Sequence, residues 1–223
     1  MQASPSLVID VVSDIVCPWC YIGKRKLDGA LAELERSEPS LDVRVRWRPF
    51  QLNPDLPPDG IARASYLARK FGGAARADQI YARVKGVGET VGIAFRFDRI
   101  ERQPNTLDGH RLIAWVQRQH DASALVERLF SAYFVEGRYV GDRDELARLA
   151  AECAESERDA RAMLESDALR EEVAIESREA LDAGIQGVPF FVFDGRTAVS
   201  GAHDAGTLLE AIAAARRETR SPR

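Results

Sequence analysis

Leu7-Val8-Ile9-Asp10-Val11-Val12, followed by Ser13-Asp14-Ile15-Val16 and then Cys17-Pro18-Trp19-Cys20, decides the fold of this 223-residue chain. The first six residues form an apolar, β-branched run of strand length. Tyr21 to Arg36 then carries Leu27, Ala30, Leu31 and Leu34 at helical spacing, and Pro39 stops the pattern. Pro18 suits the first helical position, where its missing N–H removes no hydrogen bond. Two cysteines three residues apart on the first turn of a helix can open and close a disulfide. Behind a strand, that placement points to a redox pair rather than a structural staple or half a metal site. A tetrahedral zinc site needs two more ligands. Cys153, His110, His120 and His203 are the remaining candidates, and none is paired at a ligand spacing.

Working outward, Val43, Val45 and Trp47 alternate with Arg44, Arg46 and Arg48, which predicts a half-exposed strand over 42–48. Pro49 to Gly60 is rich in Pro, Asn, Asp and Gly and reads as a linker. Residues 61–184 are mostly helical in pattern. Helices are predicted over 62–71, 75–91, from Asn105-Thr106 to about 119, over 142–154, 157–166 and 168–183. Ile93, Phe95 and Phe97 read as a short extended piece. Leu125, Leu129, Tyr133 and Val126, Phe130, Phe134 form a further apolar stripe. The period changes again at Val188-Pro189-Phe190-Phe191-Val192-Phe193, a buried-type strand. Asp194-Gly195 signals a hairpin turn, Thr197 to Ser200 a second strand, and Ala205 to Arg216 a last helix before a frayed tail. The fold class is therefore α/β, ordered β-α-β, helical insert, β-β-α. The boundaries expected are 1–57 for a first half, 58–184 for an α-helical insertion domain, 185–217 for a second half and 218–223 for a tail.

Thirty-one basic and 35 acidic residues leave a net charge of −4, so bulk basicity points to no nucleic-acid partner. No run of about 18 apolar residues is present to cross a membrane. Met1 to Ser6 has neither a basic start nor an apolar core, so no signal peptide is read there. Three cysteines are too few for a secreted disulfide framework. They suit a cytoplasmic protein with a catalytic pair and one spare thiol.

The chemistry follows from position. At the helix N-terminus, free backbone N–H groups and the positive end of the helix dipole stabilise a thiolate on Cys17. Cys17 attacks a disulfide, and Cys20, one turn later and more buried, resolves the mixed disulfide. Trp19 supplies a flat apolar rim. Pro189 cannot donate a ladder bond and belongs at the first residue of its strand. Only about 5–6% of X-Pro bonds are cis, so Pro189 alone reads as trans. Beside the cysteine pair the balance reverses. A cis bond would free the Val188 backbone to pair with an extended substrate next to Cys17.

As a set, these segments resemble the DsbA family of thiol oxidoreductases, and within it the FrnE-like branch. They are Ser13 to Lys24, Arg48-Pro49-Phe50-Gln51-Leu52-Asn53-Pro54, Asn105-Thr106 with His110-Arg111-Leu112, and Gly187 to Val192 with Ser200-Gly201-Ala202. The resemblance spans nearly the whole chain in the family's order. It implies a thioredoxin-like fold split by a large all-α insertion, a cis Pro189, and dithiol–disulfide exchange on Cys17 and Cys20. Where the family commonly has Gln after Ser-Gly-Ala, this chain has His203. Kappa-class glutathione transferases and 2-hydroxychromene-2-carboxylate isomerases are similar but typically carry Ser at the position of Cys17.

Smaller signals complete the candidate site. Val188, Pro189, Asn105, His110 and His203 form the candidate substrate-binding set, although helix capping alone explains Asn105 and Thr106. His110 is a candidate for the cleft, and His203 for a pH-sensitive neighbour of Cys17. Asp14 reads as a turn or cap residue, or as a proton acceptor for Cys20 if buried. Cys153 reads as a buried structural thiol. The Arg44, Arg46, Arg48 face reads as solvated, with acidic substrates as the functional alternative.

The leading function is thiol–disulfide oxidoreduction or isomerisation on protein or small-molecule disulfides. It needs no bound cofactor and no metal. Its partners are a cellular thiol reductant or oxidant, with glutathione as a candidate co-substrate. A glutathione-dependent transferase or isomerase and a peptide-binding, chaperone-like module are the alternatives. The helical insert is a candidate surface for a homodimer.

Overall fold

Parallel pairing of two apolar strands organises the computed structural model, which describes residues 6–220, with side chains through Arg217. β1 (Ser6–Ser13) pairs with β2 (Asp42–Pro49), Ser6 beside Asp42 through Ser13 beside Pro49. Parallel strands need a crossover, and α1 (Pro18–Ser37) supplies it. Its inward face carries Cys20, Gly23, Leu27, Ala30 and Leu34, the three-to-four spacing of one buried stripe. The chain then leaves the sheet through β3 (Ile61–Ala62), α2 (Arg63–Phe71), α3 (Ala74–Glu89) and β4 (Arg102–Gln103). It continues through α4 (Leu107–Gln117), α5 (Ser123–Ser131), α6 (Arg143–Ala151), α7 (Glu157–Glu165) and α8 (Arg170–Asp182). It returns as β5 (Phe190–Phe193) and β6 (Thr197–Ser200) and closes with α9 (Ala205–Arg220). The main sheet has the order β2-β1-β5-β6, with β5 antiparallel to both β1 and β6. Leu7, Ile9 and Val11 of β1 and Phe191 and Phe193 of β5 are buried in its core.

An aromatic cluster joins α1 to the helices. Tyr21 stacks on Phe130 with ring centroids 5.0 Å apart, Phe95 on Phe97 at 5.0 Å, and Phe97 on Tyr81 at 4.2 Å. The 93–97 run is not a ladder strand. Ile93 N donates to Gly88 O and Arg96 N to Phe134 O, so its alternation reflects packing against helices. The stripe through Tyr133 is buried as expected, but α5 widens after Ser131 into a π-helical turn over Ala132–Glu136.

Pro49 to Gly60 has the composition of a linker yet is pinned. Phe50 N donates to Ser13 O, Leu52 N to Asp14 Oδ2 at 2.8 Å, and Gln51 N to Ser177 Oγ. Orphan backbone groups at the end of β1 recruit this loop, which composition cannot reveal. Nor is the arginine face of β2 free for acidic substrates at two of its three positions. Arg46 forks onto Asp10, and Arg48 Nε lies 2.6 Å from Glu176. The tail predicted after Arg216 continues as helix to Arg220, while residues 1–5 and 221–223 lie outside the described residues.

Arg111, fully buried on α4, uses all five of its donors. Nε donates to Ala168 O. One terminal nitrogen donates to Asp108 Oδ1 and Leu164 O, and the other to Met163 O and Ser166 O. The last carbonyls of α7 are thus capped by a cation, the favourable charge for a helix C-terminus. Asp108 also accepts from Arg143 Nε at 2.7 Å. Burial pushes its carboxyl up, but Arg143 and Arg111 outweigh burial and hold it below the ordinary range. An unfolded Asp titrates near about 3.9. The folded carboxylate is therefore stabilising above that pH, and the contribution is lost as pH falls through the lower folded value. Asp108→Asn is expected to flatten the loss of stability below about pH 4, measured by urea unfolding across pH.

Candidate active site

Cys17 is the N-cap of α1, with extended backbone (φ −96°, ψ 112°), and Pro18 follows at the first helical position. Its N–H donates to Asp14 O at 2.9 Å, and its carbonyl accepts from Cys20 N and Tyr21 N. A strand ending in a tight turn thus delivers the sulfur to the helix mouth. Cys17 and Cys20 are free thiols, 5% and 1% exposed. The outer thiol is the one a substrate can reach.

Opposite them stands the turn into β5. The Val188–Pro189 peptide is cis. Cys17 Sγ donates to Val188 O at 3.5 Å. The β1–β5 register pairs Val12 with Phe190, so one step further sets Pro189 beside Ser13. Gly201 N donates to Pro189 O, and Lys26 Nζ to Ala202 O, which holds the 201–203 loop against α1.

Gly23 makes the close approach of α1 to Pro189 possible. A Cβ there would stand 2.7 Å from Pro189 Cγ and 3.2 Å from Phe191 Cζ. A glycine inside a helix costs about 1 kcal/mol relative to alanine, whereas overpacking a rigid ring costs about 1–3 kcal/mol. Packing wins, so Gly23→Ala is expected to lose about 1 kcal/mol of stability and to slow exchange by displacing Pro189. Urea unfolding and a disulfide-exchange rate check both.

Burial governs the inner sulfur. Burial pushes the Cys20 thiol well up, and the adjacent Cys17 adds to this. The Asp14 backbone and the Ser13 hydroxyl pull the other way without overcoming it. Cys20 is thus a protonated thiol that must lose its proton to act.

This arrangement can carry out dithiol–disulfide exchange, and the comparisons with known proteins agree. A family profile described as "DSBA-like thioredoxin domain" matches residues 8–213. The chain belongs to the DsbA-like thioredoxin-domain family. It is similar to the crystal structure of a "probable DsbA oxidoreductase" from Streptomyces coelicolor, 31% identical with a TM-score of 0.84, covering 97% of this chain and 92% of that one. It is 27% identical over 216 residues to the uncharacterized protein YwbO of Bacillus subtilis, covering 92% of this chain and 94% of YwbO. It shares its fold with the cytosolic disulfide reductase DsbM of Pseudomonas aeruginosa, solved with glutathione, at 19% identity and a TM-score of 0.58 over 96% of this chain and all of DsbM. This DsbA-family protein has the thioredoxin fold with a helical insertion and the oxidoreductase or isomerase activity of its family.

Within this DsbA-family site, the candidates sort by geometry. Cys17, Cys20, Val188 and Pro189 converge, with half-buried Pro18 and Trp19 at the rim. Asn105 is bonded within the fold. Its amide donates to Pro54 O and Leu56 O and accepts from Gln51 Nε2 and Leu107 N, so every group serves the loop after β2 and the start of α4. His110 is buried, with Nε2 3.2 Å from Phe50 O and 3.4 Å from Asp14 Oδ1. His203 is exposed and turns Nε2 to Ser200 O. Asp14 opens the turn before Cys17, its carbonyl accepting from Cys17 N. It is fully buried and ties Leu52 to the end of β1. Cys153 is only half-buried, with its thiol pushed up by burial.

Sequence reasoning missed Ser13 and Gly23 as site residues. The signal for Gly23 was a glycine on the buried stripe of a strong helix. Among the described residues, no group of three or more His, Cys, Asp or Glu could hold a metal ion. No helix of the described residues is long and apolar enough to cross a membrane.

Proposed function

We propose that this chain is a dithiol–disulfide oxidoreductase in which Cys17 is the attacking thiol and Cys20 the resolving thiol. The observation that carries this reading is the meeting of Cys17 Sγ with Val188 O at 3.5 Å beside the cis Pro189, one helical turn from a buried Cys20. Cys17 opens a substrate disulfide and forms a mixed disulfide. Cys20 then attacks Cys17, releases the second substrate thiol and leaves the pair oxidised. An extended substrate segment would run beside Val188, with Trp19 as its apolar rim. No cofactor enters, because the sulfurs carry both electrons.

Glutathione is the recycling thiol this reading favours, supported by the glutathione in the DsbM structure of the same fold. The reducing cytoplasm is the compartment that suits such a cycle. A kappa-type transferase is the weaker reading, since Cys17 and Cys20 supply both halves of a redox pair. The test is trapping. Cys20→Ser, mixed with a disulfide peptide, should accumulate a mixed disulfide on Cys17, and the wild-type chain should not. Equal release from both proteins would refute the assignment of Cys20.

A further inference from the structure

β2 is an edge strand of the main sheet, and part of its outer edge is open. Its even-numbered residues bond inward to β1, a pattern that Phe50 N continues by donating to Ser13 O. The odd-numbered residues therefore turn their N–H and C=O groups outward. At Trp47 one side chain takes both groups. Trp47 N donates to Gln117 Oε1 at 2.6 Å, and Gln117 Nε2 donates to Trp47 O at 3.3 Å. A side-chain amide that gives and accepts in this way stands in for one residue of an antiparallel neighbour. At Val43 and Val45 the corresponding four groups have no hydrogen-bond partner among the described residues.

This edge borders a groove of about 940 Å³ with Leu31, Leu34, Leu41, Val43 and Val45 as its apolar lining. Its charges are unequal. Asp28 and Glu38 are paired with Lys24 and Arg216, and Arg46, Arg118 and His120 with Asp10, Glu172 and Glu155. Glu35, Asp42 and Asp121 line the groove without a cationic partner among the described residues, and Arg44 is the basic residue left unpaired there. Glu35 lies in the last turn of α1, and Asp42 opens β2 just after it. The C-terminal end of the helix dipole adds to their preference for a cation.

We propose that the open edge of β2 binds an extended basic segment of another protein as an added antiparallel strand. Two apolar residues of that segment, two positions apart, pair with Val45 and Val43 and lay their side chains on the same apolar face. A lysine or arginine that follows them meets Asp42 and Glu35, because an antiparallel strand ends where β2 begins. A second copy of the chain fits less well. The two-fold register that bonds all four groups sets Arg44 directly against its own copy, and like charges directly opposite are destabilising. Arg46, opposite Asp42 in that register, is already held by Asp10. Neither Cys17 nor Cys20 takes part.

The test uses the whole protein and a fluorescein-labelled, end-capped peptide, Thr-Val-Thr-Val-Lys-Lys, read by anisotropy. Val45→Pro removes an N–H that faces outward and leaves the inward bonds of Arg44 and Arg46 in place. Asp42→Lys reverses the charge on an exposed side chain and serves if proline disturbs the strand, with urea midpoints to check the fold. Val45→Pro is expected to weaken binding at least about tenfold, the scale of one or two lost backbone hydrogen bonds. Asp42→Lys should weaken it about three- to fivefold, and a peptide with Glu-Glu in place of Lys-Lys should bind more weakly to the wild-type chain. Alkylation of Cys17 should leave binding unchanged. No binding up to about 1 mM peptide, or wild-type affinity in either folded variant, would overturn the proposal. So would loss of binding on alkylation of Cys17, which would seat the peptide in the cleft. A wild-type dimer that Val45→Pro dissolves would give the edge to a second copy and overturn it as well.

Discussion

Cys17→Ser is expected to lower disulfide-exchange turnover at least about a thousandfold, the scale of losing a covalent nucleophile. Serine keeps the size and the N-cap position but replaces the sulfur that carries the electrons. At neutral pH its hydroxyl forms no usable alkoxide and no disulfide. The fold should be untouched, because Cys17 shapes the turn through its backbone bonds to Asp14, Cys20 and Tyr21, which any residue can make. Urea midpoints equal to wild type, with exchange reduced to background, would be the matching pair of results. Cys20→Ser should behave differently, with the first attack preserved and the second lost. That split between two variants one helical turn apart separates a resolving pair from a single nucleophile. Residual turnover of even a tenth in Cys17→Ser would move the chemistry to another group.

The largest expected loss of stability is at Arg111, far from the sulfurs. Arg111→Met keeps much of the volume and removes five donors at once. The carbonyls of Met163, Leu164, Ser166 and Ala168 then lose the guanidinium, although Met163 O keeps its bond from Ser166 Oγ, and Asp108 keeps Arg143 and Arg170. Breaking a buried ionic network from one side costs about 3–5 kcal/mol, with unsatisfied carbonyls at about 1–3 kcal/mol each as the main source. The expected result is a urea midpoint lowered by that amount with an unchanged slope. Arg111→Lys should recover little, because three donors on a point charge cannot span the same fork. A loss under about 1 kcal/mol would mean that water replaces the guanidinium.

These two sites mark what was legible in the sequence. The strand from Leu7, the proline-started helix and the cysteine pair are local patterns, each written within about a dozen residues, and they placed the two cysteines at the start of α1. The β-α-β order from β1 through α1 to β2 was legible, and the structure adds that the two strands pair in parallel. Arg111 was visible as part of a motif, but its carbonyl partners lie more than 50 residues away in α7 and the turn that follows it. No periodicity records such a pairing. The loop partners of Asn105 and His110 were hidden for the same reason. Both are polar residues near a helix start, and only the folded loop from Phe50 to Leu56 shows what they bind. Phe95 and Phe97 alternated like a strand because alternate side chains of any extended segment can pack against helices.

The most direct test of the central claim is a redox titration of the wild-type chain. The protein is equilibrated in graded glutathione buffers, quenched with acid, and its free thiols counted by mass and located by peptide mapping. The account predicts one two-electron transition that joins Cys17 to Cys20 and leaves Cys153 free, with a midpoint between about −270 and −120 mV. Failure of Cys17 and Cys20 to form a disulfide with each other at any ratio would contradict it.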